Sequence, residues 1–142
     1  MRPSLDRTFM DVALTFAKRS TCCRRAVGAV IVDENNYVLS TGYNGQPSGF
    51  VHCTEKQCMG GDFPSGQGLD FCEAIHAEQN AIARLKEPFA ARVIYCTTAP
   101  CISCTKLLLA TGIKHVVFEV DYPNSGKILW RKAGREWHQI DE

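Results

Sequence analysis

Two short sequence motifs, separated by one predicted helix and one predicted strand, place the strongest constraint on how this chain folds. The first is His76-Ala77-Glu78 and the second is Pro100-Cys101-Ile102-Ser103-Cys104. One imidazole and two thiolates are ligands that zinc accepts readily, and a catalytic zinc keeps its fourth position for water. The fold is therefore expected to bring His76, Cys101 and Cys104 together around one metal ion.

Helix ends explain how the ligands can converge. The two cysteines are three residues apart, which places them on one face of a helix, and Pro100 suits the first helical position because it lacks an N–H. The positive end of the helix dipole lowers the pKa of thiols at a helix N-terminus. His76 and Glu78 meet at one point only if they open a helix, which is predicted here for residues 77–85. The sequence thus predicts two helix N-termini directed at one zinc ion.

The carboxylate of Glu78 is predicted to carry protons rather than to bind the metal. Zinc lowers the pKa of its bound water to about 7, and Glu78 can take that proton and pass it to a ring nitrogen of a substrate. Each motif alone is weak, because the first fits any surface helix and C-x-x-C also suits a redox pair, a disulfide or a structural zinc half-site. Their combination and order favour a catalytic site.

Length and composition are typical of one soluble globular domain. The chain has 142 residues, of which 45% are hydrophobic and 22% charged, and its formal net charge is +1. A net charge so close to zero produces no overall electrostatic field that attracts nucleic acid or an anionic membrane, so we expect neither partner. Residues 1–19 carry too many charges for a signal peptide or a membrane span. We therefore expect a cytoplasmic protein, or one of the host cytoplasm if the source is viral.

Hydrophobic periodicity predicts helices that alternate with strands. The predicted elements are a helix at 5–16, a hairpin of strands 27–32 and 37–41, a helix at 77–85, a strand at 92–98, a helix from Cys101 to Thr111, a strand at 115–120, a helix at 128–133 and an edge strand at 136–140. This order predicts an α/β fold, a three-layer α/β/α sandwich, with residues 1–142 forming a single domain.

A second group of cysteines lies in and around a long loop, Gln46 to Cys72. A loop of this length without helical or strand periodicity is usually functional or cross-linked. Four thiolates can complete a structural zinc site. We therefore predict a second, structural zinc, with His52 as an alternative ligand. Its predicted ligands are Cys22, Cys53, Cys58 and Cys72. The remaining two cysteines, Cys23 and Cys96, are interpreted as scattered buried thiols.

Four blocks of the sequence resemble the deoxycytidylate (dCMP) deaminase family. They are Ser20–Val30 (STCCRRAVGAV), Gly42–Gly49 (GYNGQPSG), His76–Ile82 (HAEQNAI) and Pro100–Cys104 (PCISC). The zinc motif is shared by all cytidine-deaminase-like enzymes. The GYNG block and the cysteine-containing loop narrow the resemblance to the dCMP deaminases among them. The resemblance implies a mixed five-stranded sheet between helices, a hexamer, and zinc-dependent hydrolysis of dCMP to dUMP and ammonia, which supplies thymidylate synthesis.

The resemblance also implies roles for individual residues. By motif, Glu78 shuttles protons while His76, Cys101 and Cys104 hold the catalytic zinc. Asn44 is expected to meet the deoxyribose. The remaining expected substrate contacts are Arg24, near the 5′-phosphate, together with Tyr122, Ala77 and Thr98.

A separate effector site is implied as well, with dCTP as activator and dTTP as inhibitor. Gly42, Gly45 and Arg25 are expected there, because glycines allow phosphates to approach the backbone closely. Arg25 is also a second candidate for the 5′-phosphate. The alternative for both arginines, Arg24 and Arg25, is a solvated turn before a strand.

The sequence is also compatible with other functions. The enzyme can accept dCTP as well as dCMP, or act on a nucleoside, or deaminate cytidine or adenosine in nucleic acid. A nucleic-acid deaminase is expected to show a basic groove, and the cluster Lys127, Arg131, Lys132 and Arg135 is more typical of a solvated helix face. A non-enzymatic zinc module would have no need for Glu78.

Overall fold

The computed structural model describes residues 1–22, 25–51 and 74–141. Its elements are α1 (Leu5–Ala17), β1 (Gly28–Asp33), β2 (Val38–Tyr43), α2 (Ala77–Ala83), a 3-10 turn (Pro88–Ala90), β3 (Ala91–Thr98), α3 (Ile102–Leu109), β4 (His115–Val120), α4 (Lys127–Lys132) and β5 (Glu136–Gln139). Every predicted helix and strand is present, with ends displaced by at most two residues. The short 3-10 turn was not predicted. No helix in the described parts of the chain is long and apolar enough to cross a membrane.

The strands form one mixed sheet in the order β2-β1-β3-β4-β5. β1 runs antiparallel to both β2 and β3, whereas β3 with β4 and β4 with β5 pair in parallel. The predicted hairpin is therefore confirmed as β1 and β2. The predicted edge strand is confirmed as β5.

The sheet buries both of its faces, each against different helices. Alternate residues along a strand point to opposite faces, and the core accordingly divides into two clusters. On one face the strands pack against α1, with Val30, Val32, Tyr95 and Val117 beside Phe9, Met10 and Ala13. On the other face they pack against α2, α3 and α4, with Ala29, Ile31, Ile94 and Val116 beside Ala81, Cys104, Leu108 and Trp130. The predicted three-layer α/β fold with a mixed five-stranded sheet is confirmed.

The helix α2 approaches β2 closely because residue 42 has no side chain. A Cβ atom on Gly42 would lie 2.3 Å from the carbonyl oxygen of Ala77 and 2.7 Å from the backbone nitrogen of Ala81. Both distances are far below van der Waals contact, so only glycine allows this separation. The structural role of Gly42 is therefore to admit the helix that carries the first motif.

Two side-chain hydrogen bonds reinforce this approach. The Ser40 hydroxyl donates to the Ala81 carbonyl at 2.8 Å, and the Asn80 amide donates to the Tyr43 carbonyl at 2.8 Å. Together with the space left at residue 42, these bonds fix the height of α2 above the sheet. The position of the α2 N-terminus follows from them.

Replacement of Gly42 by alanine is expected to lower the free energy of unfolding by about 3 kcal/mol, because the added methyl group overpacks the contact with α2. Denaturant unfolding of the purified variant measures this change. Gly49→Ala is the control: no atom of the described residues lies within 4 Å of its Cβ position and its φ of +90° opposes alanine, so a loss of about 1 kcal/mol is expected. Equal losses in the two variants would contradict the packing role of Gly42.

Candidate metal centre

His76 occupies the N-cap position of α2, where its backbone is extended (φ −69°, ψ 153°). The chain enters the helix through a short antiparallel bridge, in which Gly45 and Ile75 exchange two hydrogen bonds of 3.1 and 2.8 Å. The backbone N–H of His76 donates to the Gln79 side-chain oxygen at 2.8 Å. The histidine is thereby fixed on both sides, and its imidazole points beyond the end of the helix toward α3.

Cys101 caps α3 in a similar way, also with an extended backbone (φ −70°, ψ 171°). Its sulfur accepts a hydrogen bond of 3.4 Å from the backbone N–H of Cys104. The prediction that Pro100 occupies the first helical position is wrong, because the cysteine sulfur takes the capping role and the helix starts at Ile102. The expected pair of helix N-termini directed at one point is present.

Among the described residues, His76, Cys101 and Cys104 form one group of candidate metal ligands. The Nδ1 atom of His76 lies 3.1 Å from the Cys104 sulfur and 3.6 Å from the Cys101 sulfur. All three ligand atoms lie within 4.8 Å of one another. Zinc binds nitrogen at about 2.0 Å and sulfur at about 2.3 Å in tetrahedral geometry, which separates neighbouring ligand atoms by about 3.6 Å. The spacing and the chemistry of this donor set fit a zinc ion.

The three groups also influence one another's protonation. Hydrogen bonds, first from the Cys104 thiol and then from His76, lower the pKa of Cys101 to about 4. The pKa of Cys104 is raised, mainly because its thiol donates to the Cys101 sulfur and because it is buried. The hydrogen bond with Cys101 raises the pKa of His76. Protons shared in this way are those that a metal cation displaces when it binds.

Glu78 lies beside the ligands but outside the ligand group. Its side chain is buried, with the residue only 4% exposed. Burial raises the pKa of the carboxyl, an effect that the nearby positive charge of His76 opposes. The carboxyl also shares a hydrogen bond with the Cys104 side chain. A carboxyl whose pKa is shifted upward holds a proton more readily than a free one, which suits a proton carrier.

Asn44 uses its side-chain amide to hold the segment before β1. Its Oδ1 accepts from the Val27 N–H at 2.8 Å, and its Nδ2 donates to the Arg25 carbonyl at 2.8 Å. An amide oxygen and an amide NH₂ each have capacity for one further hydrogen bond. The contact of Asn44 with a deoxyribose stays a prediction, and its structural role was missed in the sequence.

Arg25 and Tyr122 contact each other. Both were predicted from the sequence to lie near the 5′-phosphate of the substrate. The guanidinium carbon of Arg25 is 4.3 Å from the centroid of the Tyr122 ring. Tyr122 is 3% exposed, and its buried hydroxyl has no hydrogen-bond partner within the part of the chain that the structure describes. A partly exposed cation beside a hydroxyl that lacks a partner among the described residues is a combination that suits an anionic ligand.

The positions of the other predicted residues say less about the function of the site. Ala77 is the buried first residue of α2, Thr98 ends β3, and Cys22 is a half-buried free thiol. A Cβ on Gly45 would lie 2.6 Å from the Thr21 hydroxyl oxygen, so this glycine, like Gly42, has a packing role. The remaining predicted residues, Cys23, Arg24, His52, Cys53, Cys58 and Cys72, lie outside the described residues, and their roles stay predictions.

Cys96 and Gln79 lie closer to the site than the sequence indicated. Burial, together with the neighbouring charge of Glu78, raises the pKa of the Cys96 thiol. Gln79 closes the N-cap of α2, as described above for His76. Its position three residues after the cap is the signal of a capping box, which could have identified it.

Comparison with known proteins agrees with this site. The sequence model of the family described as "Cytidine and deoxycytidylate deaminase zinc-binding region" matches residues 3–120. The deoxycytidylate deaminase of Schizosaccharomyces pombe is 41% identical over 125 residues, which are 85% of this chain. The chain spans only 38% of that relative's length.

A relative of similar size and a solved structure extend the comparison. The deoxycytidylate deaminase of Mycobacterium phage D29 is 38% identical over 123 residues, covering 82% of this chain and 95% of the relative. The crystal structure of the dCMP deaminase from cyanophage S-TIM5, in complex with dCMP and dUMP, superposes with a TM-score of 0.76 at 28% identity. It covers 99% of both chains. The chain therefore belongs to the family of the cytidine and deoxycytidylate deaminase zinc-binding region.

Proposed function

We propose that this protein is a zinc-dependent deaminase that hydrolyses dCMP to dUMP and ammonia. The observation that carries the proposal is the buried carboxyl of Glu78 beside the His76, Cys101 and Cys104 ligand group. A structural zinc module has no use for an additional buried carboxyl, because its fourth position is filled by protein. The relatives named deoxycytidylate deaminase and the dCMP-bound neighbour support the choice of substrate.

The chemistry requires a nucleophile, a proton carrier and a leaving amine. When bound, zinc supplies an acidified water. The Glu78 carboxylate takes one proton from the attacking water and, now protonated, delivers it to the ring nitrogen next to the amino-bearing carbon. Glu78 then takes the remaining proton of the hydroxyl added to that carbon and delivers it to the amino group. The C–N bond breaks, ammonia leaves and the oxygen becomes the carbonyl of uracil. Water is consumed, ammonia is released and Glu78 returns to its starting form.

Burial of the site strengthens this proton transfer. Glu78, Cys104, Ala77 and Ala99 are each at most 4% exposed, so the reacting groups lie in a region of low dielectric constant. Electrostatic interactions are stronger there than in water. A single carboxyl in such a place is able to exchange protons with both water and substrate without competing solvent.

A monophosphate substrate needs a fixed cation, and Arg25 is the candidate within the described residues. Its guanidinium rests on the Tyr122 ring, which limits the number of conformations available to the side chain. Arginine offers a planar fork that matches phosphate oxygens. We include Arg24, the neighbour predicted from the sequence, in the same phosphate site.

Four finer parts of the proposal rest mainly on the sequence. They are a second, structural zinc at the Cys22, Cys53, Cys58 and Cys72 group, regulation by dCTP and dTTP, assembly as a homohexamer, and a cytoplasmic location. Metal analysis supports the second zinc if the wild-type protein binds two zinc ions per chain. Sedimentation of the purified protein tests the hexamer.

The basic residues near the C-terminal end give little support to a nucleic-acid substrate. Arg135 donates to the carbonyls of Ile113 and Leu109 at 2.8 and 3.1 Å, so its charge is used within the fold. Arg131 and Lys132 are exposed on α4. The solvated helix face predicted from the sequence therefore describes Arg131 and Lys132, whereas the inclusion of Arg135 was wrong because this residue lies beyond the end of α4.

Replacement of Glu78 by glutamine is expected to reduce turnover of dCMP by about 10²-fold or more, because the amide cannot carry the proton. The zinc content is expected to stay at the wild-type value, since Glu78 is not a ligand. Chromatography of dUMP formation and metal analysis of the same sample measure both quantities. The matched control is Glu34→Gln in the exposed hairpin turn, which should retain full turnover; a fully active Glu78→Gln variant would refute the proposed mechanism.

Replacement of Cys101 by serine is expected to remove one zinc ion per chain and to lower the melting temperature, because binding and folding are coupled at such sites. Metal analysis and thermal unfolding of the same preparation measure both effects. Cys96→Ala removes another buried thiol of the same core cluster and is expected to lose some stability while retaining zinc. Retention of all zinc by Cys101→Ser would disprove the ligand assignment.

Replacement of Arg25 by glutamine is expected to raise KM for dCMP by about thirtyfold, the equivalent of about 2 kcal/mol for a lost charged hydrogen bond. KM for deoxycytidine, which has no phosphate, is expected to change far less. Steady-state kinetics with the two substrates separates these effects. Arg84→Gln at the exposed C-terminal end of α2 serves as the control, and an equal rise in KM for both substrates would remove Arg25 from the phosphate site.

A further inference from the structure

Two residues outside the ligand group contact the backbone on either side of Cys101. Gly126, which precedes α4, donates its N–H to the Pro100 carbonyl at 3.1 Å. Thr105, one turn into α3, donates to the Cys101 carbonyl twice, through its hydroxyl at 2.8 Å and through its backbone N–H at 2.9 Å. The peptide group before Cys101 and the peptide group after it are thus each held by a hydrogen bond.

These two peptide groups determine where the Cys101 sulfur lies. The orientation of the first relative to the Cα atom sets φ, and the orientation of the second sets ψ. With both fixed at −70° and 171°, the direction of the Cα–Cβ bond is fixed as well. Only the side-chain torsion then remains, and the hydrogen bond from the Cys104 N–H to the sulfur restricts it.

Thr105 and Gly126 also contact each other so closely that no side chain fits between them. A Cβ on Gly126 would lie 2.0 Å from the Thr105 hydroxyl oxygen and 2.3 Å from its Cβ. The φ of Gly126 is −89°, a value that other residues adopt freely. Glycine is therefore needed at this position for space and not for backbone conformation.

The contact connects α4 to the ligand turn. Thr105 is fully buried, and the first hydrogen bond of α4 runs from the Trp130 N–H to the Gly126 carbonyl at 3.0 Å. An isolated bridge pairs Ser125 with Cys101. The start of α4 consequently lies directly against the residue that caps α3.

We propose that Thr105 and Gly126 are positioning residues for the Cys101 sulfur, which they hold in the place that zinc binding requires. The proposal rests on the zinc site put forward above. The Thr105–Gly126 contact keeps the Cys101 sulfur in its metal-binding position, so loss of this contact accelerates zinc release. Neither residue binds the metal or touches the substrate.

The alternative is that the Thr105 hydroxyl only supports its own helix. Threonine hydroxyls in helices commonly donate to a carbonyl three or four residues earlier. Thr111, at the other end of α3, provides the matched comparison. It is also buried, and its hydroxyl donates to the Leu108 carbonyl at 2.7 Å. If the Thr105 hydroxyl only supports its own helix, replacement of either threonine is expected to have the same effect on the rate of zinc release.

The test measures the first-order release of zinc from the zinc-loaded protein to a chromophoric chelator. Thr105→Val keeps the side-chain volume but removes the donor, and release is expected to be about tenfold faster, the effect typical of residues that orient a metal ligand. Thr105→Ser keeps the donor and is expected to release zinc at nearly the wild-type rate. Thr111→Val is expected to leave the rate unchanged.

Three results would overturn the proposal. They are wild-type release from Thr105→Val, faster release from Thr105→Ser than from Thr105→Val, and equal acceleration by Thr111→Val. A wild-type protein that binds no zinc would contradict the proposed metal site itself, and with it this role. Because the readout is zinc release, an inactive but zinc-bound protein would refute the proposed reaction while leaving the positioning role open to the same measurement.

A second pair of variants tests the glycine. Gly126→Ala is expected to accelerate zinc release, because the methyl group pushes α4 away from Thr105. Gly112→Ala is the control, since a Cβ there would lie 2.3 Å from the Phe89 carbonyl oxygen, at the opposite end of α3 from the ligands. Both variants are expected to lose stability, but only Gly126→Ala is expected to release zinc faster. Faster release from both, or from neither, contradicts the assignment.

Discussion

The structure depends on the convergence of two helix N-termini, because the metal ligands come from the first turns of α2 and α3. These helices have seven and eight residues, and helices of that length are marginal in isolation. Their positions are therefore set by what they pack against. Gly42 admits α2 to the sheet and Gly126 admits the start of α4 to α3. Two positions without a side chain thus determine where an imidazole and a thiolate meet.

The same packing creates the environment for chemistry. The ligand group and Glu78 belong to, or border, the core cluster between the sheet and α2, α3 and α4. Burial raises the pKa of the carboxyl, whereas hydrogen bonds lower the pKa of Cys101. One site therefore contains both a thiolate ready to bind a cation and a carboxyl able to retain a proton. The proposed reaction needs both properties.

The sequence was informative where chemistry depends on residue type and spacing. The convergence of His76, Cys101 and Cys104 was predicted from spacing and is present in the structure, whereas the role of Glu78 as proton carrier stays a prediction. Hydrophobic periodicity predicted each helix and strand. The backbone details were less predictable. Pro100 was placed inside α3, because proline commonly occupies a first helical position, but the Cys101 sulfur caps the helix instead. The apolar positions that predicted the first helix were Leu5, Phe9, Val12, Ala13 and Phe16. They omit Met10, which is fully buried on α1, and include Leu5, which is exposed.

Contacts between distant segments were beyond reach of the sequence. The packing of Gly126 on Thr105 joins residues 21 positions apart. Neither a glycine nor a threonine in a sequence indicates such a contact by its residue type alone. Asn44 was identified through resemblance as a sugar ligand, yet its amide holds the backbone of residues 25 and 27. The glycines of the GYNG block were predicted at an effector site. Their close neighbours in the structure are Thr21 and the backbone of α2.

The central claim, deamination of dCMP, is tested most directly by presenting the zinc-loaded protein with dCMP, deoxycytidine, CMP, dCTP and a cytosine-containing single-stranded oligonucleotide in parallel. Chromatography then follows each uracil product. The account predicts that dCMP is converted to dUMP with the highest kcat/KM of the five. Conversion of the nucleoside or the oligonucleotide in preference to dCMP, or no conversion of dCMP by fully zinc-loaded protein, would contradict it.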